Sequence, residues 1–237
     1  MYRSAWWRTA VVAGALALAV PGLGTPSAFA ASRAAAVWLM DETSGTTMTD
    51  TSGNGNNGTT YNVKMTGASG YKFDPASRSK VVVPNSATLN PGASTFSYSL
   101  KMQSSHVPAS GTDYDLMRKG IGTTTGGEYK IEIVYGLGLA KAYCVVQDSR
   151  GHEAGLRGTH NLADNQLHTV SCKKTATALI MTEDGGRARK KSASLGSVTN
   201  TAPLTLGVKV PDSPENDLKQ GDWYKGTMRS ATISIEP

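Results

Sequence analysis

The chain has 237 residues, 39% of them apolar, with 24 basic and 18 acidic side chains and a net charge of +6. This composition suits a folded domain with a sizeable core and excludes a disordered or fibrous chain. The basic excess is too mild and too dispersed to argue for nucleic acid.

The first 30 residues read as a cleavable export signal. Arg3 and Arg8 give a positive start, an apolar run of 11 residues follows from Ala10 to Val20, and Ala28-Phe29-Ala30 supplies the small residues that a signal peptidase needs. The run is too short for the roughly 20 residues of a membrane span, and nothing later comes nearer to one. Cleavage near Ala30 leaves 207 residues, 31 to 237, with a net charge of +4, a size expected of one secreted domain without a membrane span.

Beyond the signal, alternation with period two recurs and helical spacing is nearly absent. Ala35 to Met40 and Val81 to Val83 are the first strand candidates. Phe96, Tyr98, Leu100 and Met102 then alternate with Ser97, Ser99 and Lys101, and Tyr129, Ile131, Ile133 and Tyr135 alternate with Lys130, Glu132 and Val134. Leu139 to Gln147, Leu167 to Lys173, Thr177 to Thr182 and Leu204 to Val208 follow, and Ala231, Ile233 and Ile235 close the series. Each pattern predicts a strand with one buried face, and about a dozen such strands make an all-β, two-sheet antiparallel sandwich.

Cys144 lies in phase with Ala142 and Val146, and Cys172 with His168 and Val170, so each points to one face of its strand. In an exported chain two cysteines are expected to form a disulfide, the alternative being two buried thiols. The basic run Arg187, Arg189, Lys190 and Lys191 follows the turn signal Asp184-Gly185-Gly186 and reads as a solvated hairpin end.

The stretch from Asp41 to Gly70 has no clear strand and is rich in Gly, Asn, Ser and Thr, the kind of long loop that carries function. Asp50, Ser52, Asn54 and Gly55 match the front half of a calcium-binding hand, but Tyr61 stands where its bidentate Glu belongs. What survives is an oxygen-rich loop for a hard cation, or an Asx-turn loop that satisfies its own backbone. Asn57-Gly58-Thr59 is a glycosylation sequon.

Trp38-Leu39-Met40-Asp41-Glu42, Ser44-Gly45 and Asp50 followed by SGNGNNG resemble the opening of the laminin-G-like, concanavalin-A-like jelly-roll modules of secreted bacterial proteins. Asp222 to Gly226 with the strand through Ile235 resembles their closing segment, and Asn165 to Cys172 with Thr177 to Gly185 their central hairpin. The resemblance implies a jelly-roll sandwich, a disulfide between Cys144 and Cys172, and calcium as the cofactor of the opening loop, held by Asp50 with carbonyls near Asn54 and Asn57. One position departs from it: where the family places a helping Asp, this chain has Arg229, in phase with Ala231 and Ile233. An inward guanidinium would repel a cation, so an Asp50–Arg229 ion pair is expected in its place.

No catalytic signature is present. His152-Glu153 lacks its second His at Leu156, and there is no strand-elbow serine motif. Glu128 and Glu132 flank Lys130 and read as an exposed charge row, and His168 reads as a structural histidine. The adjacent aromatics Trp223 and Tyr224 are weak candidates for stacking on a sugar, with core packing as the first explanation. The sequence therefore predicts a secreted non-catalytic binding module, its partner an extracellular glycan or a protein of the cell wall or cell surface. The alternative is a divergent glycoside hydrolase or polysaccharide lyase on the same sandwich.

Overall fold

A computed structural model describes residues 33–209 and 222–236, and the segment 1–30, expected to be an export signal, lies outside them. The described chain is all-β, as its period-two pattern requires. No helix in it is long and apolar enough to cross a membrane.

Two antiparallel sheets of eight strands each form a jelly-roll sandwich. The first runs β14 (Arg189–Ser192), β13 (Ala178–Glu183), β12 (Leu167–Lys174), β7 (Phe96–Gln103), β16 (Gly226–Ile235), β5 (Tyr71–Phe73) and β4 (Lys64–Met65). Its eighth strand, β1 (Arg33–Trp38), pairs with the second half of β16, and β5 pairs with the first half. The second sheet runs β11 (Glu153–Arg157), β10 (Leu139–Gln147), β9 (Glu128–Gly136), β8 (Asp113–Lys119), β15 (Leu204–Leu206), β6 (Lys80–Val83), β3 (Gly58–Tyr61) and β2 (Thr47–Met48). The segment Asp41 to Gly70, expected as loop, thus contributes β2, β3 and β4, each too short to show a period.

The alternating apolar sets meet between the sheets. Phe96, Tyr98, Leu100 and Met102 of β7 are buried, as are Tyr129, Ile131 and Ile133 of β9. The rings of Phe96, Tyr98 and Tyr129 cluster at 5.2 to 5.4 Å between centroids. The Tyr98 hydroxyl donates to Val145 O at 2.9 Å and that of Tyr129 to Leu89 O at 3.1 Å, so neither polar tip is stranded. Cys144 of β10 and Cys172 of β12 are joined in a disulfide across the core, with Cα atoms 6.0 Å apart. It ties the two sheets together and closes a loop in the unfolded chain, which contributes about 3 to 4 kcal/mol in the chain-entropy account.

Besides an irregularity in β1 between Ala34 and Ala36, two bulges reset the pattern near the charged side chains. One lies in β8 between Asp115 and Met117, the other in β16 between Met228 and Ser230. An extra residue flips the side-chain phase beyond it. On β8 this brings Asp115 and Arg118, three apart, onto one face. On β16 it makes Met228, Ala231 and Ile233 the buried set and leaves Arg229 out of it.

Candidate functional site

The opening loop closes on itself. Asp50 Oδ1 accepts from Val37 N at 3.0 Å and Ser52 N at 2.9 Å, and its Oδ2 accepts from Ser52 Oγ and Asn56 N, both at 2.9 Å. Burial would raise the Asp50 carboxyl, but these hydrogen bonds outweigh it and hold it below its ordinary value. Asn54 Nδ2 donates to Ala34 O and Ala35 O, and Asn57 Oδ1 accepts from Asp50 N at 2.8 Å. Four donors point at Asp50 and the side chains of Asn54 and Asn57 serve the backbone, the arrangement of an Asx-turn loop that satisfies its own backbone. The expected ion pair between Asp50 and Arg229 is not formed. Because of the bulge, Arg229 lies over Gly70, where an added Cβ would meet its Cγ at 3.0 Å, and its buried Nε has no hydrogen-bond partner.

Trp223 and Tyr224 offer no ring to a sugar. Both are buried, and Tyr224 packs against Phe73 and Tyr114 while its hydroxyl donates to Gln103 O at 2.9 Å.

Glu128 and Glu132 are not an exposed row either; each is only 3% exposed. Arg118 of β8 reaches across and donates to Glu128 Oε2 at 2.7 Å, Glu132 Oε2 at 3.3 Å and Asp115 Oδ1 at 2.7 Å. Lys130 Nζ adds a contact to Glu132 at 2.7 Å. Burial pushes both glutamates above their ordinary range, against the pull of Arg118 and Lys130. Two carboxylates tied to one guanidinium are not arranged as an acid and a nucleophile.

His168 is structural, as its phase on β12 suggested. Its Nδ1 lies 2.9 Å from Asp184 Oδ2 and its Nε2 2.9 Å from Asp164 Oδ1, and only the imidazolium donates to both. Burial lowers its basicity, but the two aspartates outweigh this and raise it above the ordinary value. Asp184 Oδ2 also lies 2.9 Å from His160 Nδ1.

These contacts border a cleft. It has a volume of about 480 Å³ and lies where the edge strand β11 of one sheet meets the β13–β14 hairpin at the edge of the other. Leu156 and Met181 form an apolar floor, Thr159, His160 and Glu183 stand along one side, and Arg187, Arg189 and Lys190 form an exposed basic lip. The Glu183 carboxylate pins the opposite loop by accepting from Thr159 N at 2.7 Å and from His160 N at 3.3 Å. Gly158 leaves room for this carboxylate, since a Cβ would stand 2.2 Å from Glu183 Oε1 and push it aside. The hairpin itself turns at Asp184 and Gly185, φ 53° and 68°, closed by Gly186 N donating to Glu183 O at 2.9 Å. The sequence marked this hairpin but not the cleft. Its floor comes from two strands of different sheets, whose meeting leaves no local signal.

No family model and no curated protein matches the sequence. Solved structures do. The binding domain of Paraclostridial Mosquitocidal Protein 1 aligns with TM-score 0.62 at 14% identity over 86% of this chain and 48% of that one. The binding domain of Botulinum Neurotoxin DC, in complex with SialylT, aligns with TM-score 0.56 at 12% identity over 86% and 46%. Domain 4 of AbnA, a GH43 extracellular arabinanase from Geobacillus stearothermophilus in complex with arabinotriose, gives 0.55 at 15% identity over 86% and 93%. The chain shares their lectin-like β-sandwich. It spans about half the length of the two toxin binding domains and nearly all of the arabinanase domain.

Proposed function

We propose that this protein is a secreted, non-catalytic module that binds an extracellular carbohydrate or another ligand of the cell wall or cell surface, seated in the cleft between β11 and the β13–β14 hairpin. The cleft's composition carries the reading. An apolar floor of Leu156 and Met181 under three cations suits a sugar ring bearing acidic groups, and about 480 Å³ lies within the range of small-ligand sites. The export signal over residues 1–30 and the disulfide support an extracellular setting. Two proteins of the same fold, the neurotoxin domain with SialylT and the arabinanase domain with arabinotriose, support a carbohydrate ligand.

Binding of acidic and neutral glycans and of cell-wall polymers, measured on arrays for wild type and for Arg187→Glu/Arg189→Glu/Lys190→Glu, tests the proposal. Charge reversal on the exposed lip should weaken binding by about tenfold or more, roughly 1.4 kcal/mol, while leaving the fold intact. Binding unchanged by reversal removes the cleft, and no binding to any of these polymers removes the function.

A further inference from the structure

On the outer face of the second sheet, Asp115 of the Arg118 network meets two further carboxylates, those of Asp113 and Asp222. Asp113 and Asp115 are two apart on β8 and share a face, and Asp222 is set beside them because Asp115 N donates to Asp222 O at 2.8 Å. Each of the three offers an oxygen, and these oxygens all lie within 4.8 Å of one another. Asp115 is fully buried, Asp222 is 8% exposed and Asp113 stands at the rim.

Two of these carboxylates carry an oxygen without a donor. Asp113 Oδ1 and Asp115 Oδ2 are buried with no hydrogen-bond partner, whereas nearly every other buried side-chain oxygen described here has one. The neighbouring cations reach the other oxygens of the cluster: Arg118 Nε donates to Asp115 Oδ1 at 2.7 Å and Lys209 Nζ to Asp222 Oδ2 at 2.7 Å. Among the described residues, these three carboxyl groups with Glu128 and Glu132 make five around the cations Arg118, Lys130 and Lys209. Two bare oxygens and three converging carboxylates describe a complement for one divalent cation.

We infer that Asp113, Asp115 and Asp222 form a binding site for a hard divalent cation, calcium by ligand type, which locks β8 to the segment leading into β16. The all-oxygen donor set suits a hard cation such as calcium or manganese better than copper or zinc, which favour nitrogen and sulfur. The half-exposed side at Asp113 admits the ion and the waters that complete its shell. This site is separate from the opening loop, where donors already fill the space around Asp50.

The test uses the whole secreted chain, stripped with chelator and titrated with calcium. Calorimetry should give one ion per chain, and the melting temperature should rise by several degrees because the ion binds only the folded state. Terbium in the same site should luminesce on excitation of the neighbouring Trp223 and Tyr114, and calcium should quench that signal. Asp113→Asn and Asp222→Asn should each abolish the calorimetric and luminescence responses, whereas Asp50→Asn should leave both unchanged. The competing occupant is a proton, since burial together with Glu132, Asp115 and Asp222 pushes Asp113 up to about 7. If calcium, manganese and terbium all fail to bind the wild type, or if Asp113→Asn binds them as the wild type does, the inference is overturned.

Discussion

Asp50 and His168 show how a single side chain is used here. Asp50 gathers Val37 N, Ser52 N and Oγ, and Asn56 N into one knot that fastens the opening loop to β1. Asp50→Ala should lose about 2 to 3 kcal/mol in urea unfolding, because it strands buried backbone donors. The loss should be the same with and without added calcium. His168 makes a pH-dependent contribution. Its folded basicity is raised above the ordinary 6.5, so its stabilisation is complete below that pH and is lost as pH rises through the folded value. Asp164 and Asp184 are lowered from 3.8, so their contributions hold above it and fade on acidification. Stability measured across pH should fall on the alkaline side of about 6.5 in the wild type and run flatter in His168→Gln. An identical profile in the variant would assign the fall to other groups. At this scale the sequence was legible where phase alone decided, as for His168 and the two cysteines. It misled where a bulge intervened. The long cations that do lie inside are Lys119 and Lys174, both fully buried, Lys119 donating to Asn85 Oδ1 and Ala202 O at 2.7 Å and Lys174 to Ala93 O at 2.8 Å.

Among the elements, the long alternating strands β7, β9, β10, β12 and β16 lie where their periodicity put them. The short ones were hidden: β2 and β4 have two residues each, and β8 reads as a mixture of Asp, Tyr, Leu, Met and Arg because its outer face carries a buried charge network. The pattern of a strand reports burial only when buried means apolar. The β9–β10 hairpin illustrates a local choice that runs against propensity. Its turn residues are Leu137 and Gly138, with φ 54° and 83°, and Leu137 is 99% exposed. A leucine in the left-handed region is strained and its side chain gains nothing from burial, so Leu137→Asn should stabilise the protein by up to about 1 kcal/mol. A lower melting temperature in that variant would mean that the leucine makes a contact in solution.

For the whole molecule, the sandwich rests on two long-range devices, the shared aromatic core and the Cys144–Cys172 link. Replacing both cysteines by alanine should cost about 3 to 4 kcal/mol, seen as a lower urea midpoint, and a reducing agent should lower the wild type to the same level. The fold class was legible because it depends on the count and period of strands, which local sequence carries. The edge cleft, the Arg118 network and the aspartate cluster were not, because each is made by strands from distant parts of the chain that only the topology brings together.

The pairing of the first and last described strands has a mechanical consequence. Arg33 lies opposite Ile235, so the two ends of the domain leave side by side at one end of an antiparallel pair. A force applied to those ends peels β1 from β16 one hydrogen bond at a time instead of shearing all of them at once. The domain should therefore yield at low force in a single-molecule pulling experiment. The cystine then acts as a stop: the 28-residue span between its cysteines stays looped, and the extension should fall short of the reduced protein's by about 90 to 100 Å.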